Sequence, residues 1–131
     1  MSLFLRQCCP SLTVENVELE PLVLRMAVSH FGFPPPGSDD KCITHICDAA
    51  DFVATSSERL QQLEPDASFG CGYDAVMVDL YTHGGEFPAQ CLSEEFVGGL
   101  ATLVKDRRGT VVLNMGRSLA GNEKLRALFA T

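Results

Sequence analysis

The chain of 131 residues is the size of one domain at roughly 150 residues each, and its 10 basic and 17 acidic side chains leave a net charge of −7. With 46% hydrophobic and 21% charged residues it has enough apolar material for a buried core, which excludes a chain disordered throughout. The acidic balance and the lack of a Lys/Arg run argue against nucleic acid, and no apolar run reaches the roughly 18 residues of a membrane span. The expectation is a single cytoplasmic domain, residues 1–131, with no membrane partner. The six cysteines form no CxxC pair, so they read as reduced thiols used as small apolar residues.

Residues 2–9 read as a short helix closed by Pro10, and residues 13–19 as a strand with Val14 and Val17 among its apolar positions. Pro21 opens the next helix, because a proline at the first helical position has no amide to leave unpaired. Leu22, Met26 and Phe31 with Val23 and Ala27 make an apolar stripe at helical spacing, ending near Gly32. Three consecutive prolines then force a loop over residues 33–40. Residues 41–47 read as a strand, and Asp48 stands where it turns into a short helix at 49–54. Thr55-Ser56-Ser57-Glu58 matches a capping box, predicting a separate helix to Leu63.

After a polar loop at 64–72, the stretch YDAVMVDL at 73–80 is an apolar strand of the kind buried on both faces of a parallel sheet. A helix at 93–104, a turn at 105–109, a strand at 110–114 and a closing helix at 118–129 complete the order α-β-α-β-α-β-α-β-α. Strands joined by helical crossovers pack as a parallel sheet, and ligands bind beyond the strands' carboxyl ends. The fold class is α/β, a Rossmann-like three-layer sandwich with a mostly parallel sheet. Three carboxylates fall at such ends, which face one common crevice: Glu18 (with Glu20), Asp48 and Asp79. Each alone fits a helix cap or turn; a carboxylate beside a nucleotide pocket can also accept both hydroxyls of a ribose.

Val17-Glu18-Leu19-Glu20-Pro21, the helix to Phe31-Gly32, Cys47-Asp48-Ala49, Tyr73-Asp74-Ala75-Val76-Met77-Val78-Asp79, Leu92-Ser93-Glu94-Glu95-Phe96 and Gly109-Thr110-Val111-Val112-Leu113-Asn114 occur in the order found in the spermidine synthase-like family. The chain resembles that family of methyltransferases and aminopropyltransferases over nearly its whole length. The resemblance implies S-adenosylmethionine, or its decarboxylated form, as cofactor. It places Glu18 on the ribose hydroxyls, Asp48 with its neighbour Ala49 on the adenine amino group, and Asp79 nearest the reacting centre as the candidate catalytic residue. No metal is implied. In the aminopropyltransferases an Asp-x-x-Asp signature holds the cationic amine; here the stretch is Asp79-Leu80-Tyr81-Thr82. Losing the second carboxylate favours methyl transfer over aminopropyl transfer.

In that family a strand and a glycine-rich turn precede the helix that residues 2–9 resemble, and an N-terminal β domain and often a final hairpin are present as well. Relative to it this sequence is incomplete. The missing strand belongs between 13–19 and 73–80. Either those strands close the gap, or open inner edges pair with another chain, giving a homodimer or a complex with a partner. The competing reading is therefore a non-catalytic subunit or interaction module of the same fold.

Other signals carry less. Gly70-Cys71-Gly72-Tyr73-Asp74-Ala75 fits GxGxxA but leads into a strand rather than a helix. On a strand, Cys42 points opposite to His45 and Cys47, against a zinc site. Cys8 and Cys9 diverge by about 100° on a helix. His30 is a helix-end residue, and His83 with Gly84-Gly85 is the histidine placed to face the crevice. Leu119, Leu125, Leu128 and Phe129 read as core.

Overall fold

Helix α1 (Ser2–Cys8) is too short to be stable by itself, so what holds it is tertiary. Arg6 Nη1 donates to the carbonyls of Pro10 (2.7 Å) and Leu12 (2.9 Å), while Nη2 reaches Asp39 Oδ2 at 2.8 Å. Ser2 Oγ donates to the Asn16 side chain. The computed structural model describes residues 1–62, 72–104, 109–114, 123 and 127. Two compact units divide the chain, Met1–Phe52 and Val53–Thr131.

In the first unit, β1 (Val14–Glu18) and β2 (Cys42–Ile46) form a parallel pair in register Val14↔Cys42 to Glu18↔Ile46. Asn16 Nδ2 braces the pair by donating to the Ile43 carbonyl at 3.1 Å. Helix α2 (Pro21–Phe31) joins them, beginning at its proline and ending at Gly32, whose left-handed φ of 67° costs glycine nothing. Its half-buried face is Leu24, Ala27 and Val28, whereas Leu22, Val23, Met26 and Phe31 are exposed. The stripe predicted from the sequence thus mostly faces outward. The helix is apolar around much of its circumference, so spacing alone does not select its buried side.

Helix α3 (Ala49–Gln62) is one helix, not the two expected. Asp48 supplies its cap, with Oδ1 accepting from the Ala50 amide at 2.7 Å. Thr55-Ser56-Ser57-Glu58 lies in its interior, where Ser57 Oγ donates to the Ala54 carbonyl at 2.9 Å instead of capping a new helix. Once a helix is nucleated at Asp48, extending it is easier than starting another.

In the second unit, β3 (Ala75–Val78) and β4 (Thr110–Leu113) form another parallel pair, Ala75↔Thr110 to Val78↔Leu113. A bridge between Tyr73 and Val104 precedes it. Helix α4 (Glu94–Leu103) starts at Ser93, whose hydroxyl accepts from the Phe96 amide at 3.1 Å, and follows a 3-10 turn at Ala89–Leu92 that the sequence reading did not foresee. Phe96, Val97, Leu100 and Leu103 are buried along one side of α4, with Val53, Val78, Phe87 and Cys91 also buried in this unit. Gly99 permits a close approach: a β-carbon there would lie 2.6 Å from Val53 Cγ1.

The parallel pairing matches expectation, but the described strands form two two-stranded sheets rather than one. Nor is β3 buried on both faces. Val78 is 6% exposed, but Met77 and its cross-strand partner Val112 are 51% and 47% exposed. A run of apolar residues does not reveal how many layers will cover it. The predicted loop at 64–72 as far as Cys71, the turn residues 105–108, and nearly all of the closing helix, with Leu119, Leu125, Leu128 and Phe129, lie outside the described residues.

Candidate functional site

Parallel strands deliver the residues that follow them to the carboxyl edge of their sheet, and each sheet carries polar side chains at its own such edge. Glu18 ends β1 opposite Ile46, and the ladder continues one residue further, the Cys47 amide donating to the Glu18 carbonyl at 3.1 Å. Asp48 comes next. Glu18 and Asp48 therefore share the carboxyl edge of the β1–β2 sheet, and Ala49 is the first residue of α3.

Each carboxylate has one oxygen engaged locally: Glu18 Oε1 accepts from the Glu20 amide at 2.9 Å, and Asp48 Oδ1 from the Ala50 amide. Neither second oxygen has a hydrogen bond among the described residues, and a carboxylate offers about four acceptor positions. Beside Glu18, a cleft of about 200 Å³ between α2 and the sheet is lined by apolar groups including Val17, Leu24, Ala27 and Phe33.

In the second unit Asp79 directly follows β3 and is exposed. The Asn114 amide extends the β3–β4 ladder by donating to the Val78 carbonyl at 2.8 Å, and Asn114 Nδ2 donates to Asp79 Oδ1 at 2.9 Å. Tyr81 Oη donates to the Asn114 carbonyl at 3.4 Å. Thr82 is committed to its own loop: its Oγ1 accepts from the Glu86 amide at 3.3 Å, its amide donates to the Glu86 carbonyl at 2.8 Å, and its carbonyl accepts from Gly85 at 2.9 Å. Gly85, with φ 76°, supplies the left-handed residue this turn requires, and buried Phe87 anchors its end. His83 is exposed in that turn.

Cys42 is buried, which pushes its thiol up, while Cys47 is half-buried on the side of His45. His45 packs on Phe52 with ring centroids 5.0 Å apart, and its Nε2 lies 3.9 Å from Glu15. Among the described residues no group of three or more His, Cys, Asp or Glu side chains is placed to hold a metal, and no helix is long and apolar enough to cross a membrane.

The backbone resembles a solved methyltransferase-like structure. The crystal structure of human Methyltransferase-like protein 13 in complex with SAH matches 97% of this chain with a TM-score of 0.79 and 23% sequence identity. The chain spans about half of that structure's length, 55% of it. No family model and no curated protein matches the chain. At this identity the likeness shows the fold, a mixed α/β architecture with short parallel strands.

The sequence reading set Glu18, Asp48 and Asp79 around one common crevice; the structure sets Glu18 and Asp48 at the carboxyl edge of one sheet and Asp79 at that of the other. The sequence reading did not single out Asn114. The signal was available, since Asn114 follows its strand as Asp79 follows β3, but a search for carboxylates passes over an amide.

Proposed function

We propose that this chain is a spermidine synthase-like, S-adenosylmethionine-dependent transferase domain that transfers a methyl group rather than an aminopropyl group. The observation that carries the reading is the shared edge of Glu18 and Asp48, each with a carboxylate oxygen left over after its local backbone bond. The fold likeness to a protein crystallised with SAH supports it. These residues fit an adenosyl group. Glu18 grips the vicinal ribose hydroxyls, which match the fork of a carboxylate, and Asp48 accepts from the adenine amino group with Ala49 beside it. S-adenosylmethionine supplies, when bound, a carbon already activated by its sulfonium.

The chain's own contribution is positioning and charge placement, with Asp79 orienting the acceptor and receiving its proton. Preference for methyl transfer follows from Thr82. A polyamine clamp needs a second carboxylate at that position, and here a hydroxyl stands there, occupied with the Glu86 amide.

Ligand-dependent melting tests the reading. S-adenosylmethionine at a hundred times its Kd stabilises the fold by about 2.7 kcal/mol, and Glu18→Ala abolishes the shift. An unmoved melting temperature with S-adenosylmethionine, its decarboxylated form and S-adenosylhomocysteine overturns cofactor binding; a larger response to the decarboxylated form overturns methyl transfer. The exposed apolar residues of α2 favour a second reading, a non-catalytic module whose α2 face meets another chain. Absence of any ligand shift together with self-association in sedimentation would select it.

A further inference from the structure

We infer that Asn114 is a positioning residue for Asp79, a role that rests on the transferase reading above. Asn114 is itself held at two backbone points: its amide donates to the Val78 carbonyl at 2.8 Å, and its carbonyl accepts from Tyr81 Oη at 3.4 Å. From that anchorage its Nδ2 donates to Asp79 Oδ1 at 2.9 Å, across strands whose register already sets Val78 against Leu113. An exposed aspartate otherwise samples several rotamers. A donor on a neighbouring strand selects one of them, leaving Oδ2 to meet an acceptor group.

The placement also fixes the side of approach. Side chains alternate along a strand, so Asp79 and Asn114 continue the face of Met77 and Val112, the exposed one, rather than that of Val76, Val78, Val111 and Leu113. Of the two groups, the carboxylate touches substrate and the amide acts through it. Asparagine suits this task because it donates without adding charge, whereas an aspartate at the same place would repel Asp79.

The test uses the intact chain with Asn114→Ala, Asn114→Asp and Asn114→Gln. Calorimetry with S-adenosylhomocysteine is read alongside transfer of labelled methyl from S-adenosylmethionine to putrescine, to a lysine-containing peptide and to free amino acids. Expected are unchanged S-adenosylhomocysteine affinity in all three variants, and kcat lowered about tenfold in Asn114→Ala and more in Asn114→Asp. KM for S-adenosylmethionine should stay constant, with partial recovery in Asn114→Gln, which keeps the donor. Melting temperatures separate these effects from misfolding.

Normal kcat in Asn114→Ala, or equal losses in all three variants, overturns the positioning role. Wild type that binds S-adenosylhomocysteine but methylates none of the acceptors overturns the assignment of the Asp79–Asn114 pair to the acceptor end, and with it the inference. Wild type that binds no S-adenosylhomocysteine instead overturns the underlying reading.

Discussion

The two units solve the problem of holding a parallel strand pair in different ways. Among the described residues of Met1–Phe52, Cys42 is the buried apolar side chain, and large apolar groups such as Leu22, Met26 and Phe31 lie in the open. In Val53–Thr131, Val78, Phe87, Phe96, Leu100 and Leu103 are all buried. The first unit depends on its ladder and on polar clamps, Arg6 on the carbonyls of Pro10 and Leu12 and Asn16 on β2, while the second depends on apolar burial. Similar secondary structure thus rests on different physics, and substitutions of one kind should act unequally in the two.

The largest contrast comes from truncating apolar side chains. Leu100→Ala, at a site 1% exposed, should cost about 2–5 kcal/mol in denaturant unfolding, and Met26→Ala, at a site 48% exposed, within about 0.5 kcal/mol. Equal losses would mean that the outer face of α2 is covered in solution. Gly99→Ala comes next. Its new methyl meets Val53 Cγ1 at 2.6 Å, and overpacking of this kind costs about 1–3 kcal/mol, offset in part by alanine's helix preference.

The adjacent Gly98 has no neighbour within 4 Å of an added β-carbon, so Gly98→Ala should stabilise by about 1 kcal/mol. The opposite signs of these adjacent changes, read in one melting series, sharpen the claim that Gly99 is the glycine of α4 pressed against Val53.

The smallest effect is electrostatic and belongs to the first unit. The Lys41 amide, then Arg6, hold the Asp39 carboxyl below its ordinary value near 3.8. A carboxylate of lowered pKa contributes stability that is fully present above that ordinary value and is lost as pH falls through the folded value. Melting temperature followed from pH 5 downward should therefore fall less steeply in Asp39→Asn than in the wild type. Identical slopes would show that this clamp adds nothing in acid.

Much of the fold was legible because its signals are local. Pro21 and Gly32 bracket α2, and β-rich runs delimit the strands, each through the conformational limits of a few adjacent residues. The capping box at Thr55 failed for the same reason: it was read locally, while Asp48 seven residues earlier had already started the helix. At the site, the rule that residues following parallel strands gather at the carboxyl edge points to Glu18, Asp48 and Asp79 as candidates; the first two lie on one such edge and Asp79 on that of the other sheet. Asn114 emerged only once register placed it across from Asp79.

By itself, then, the amino-acid sequence determined the order of the described α-helices and strands apart from the division of α3, the parallel pairing and which carboxylates follow the strands, because these depend on periodicity and caps within a few residues. Only the tertiary structure decided which face of α2 turns inward, that β3 has one covered side, and that an amide rather than a second carboxylate partners Asp79. Those outcomes depend on which surfaces remain to be buried and which strands become neighbours, and residues far apart in the chain settle both.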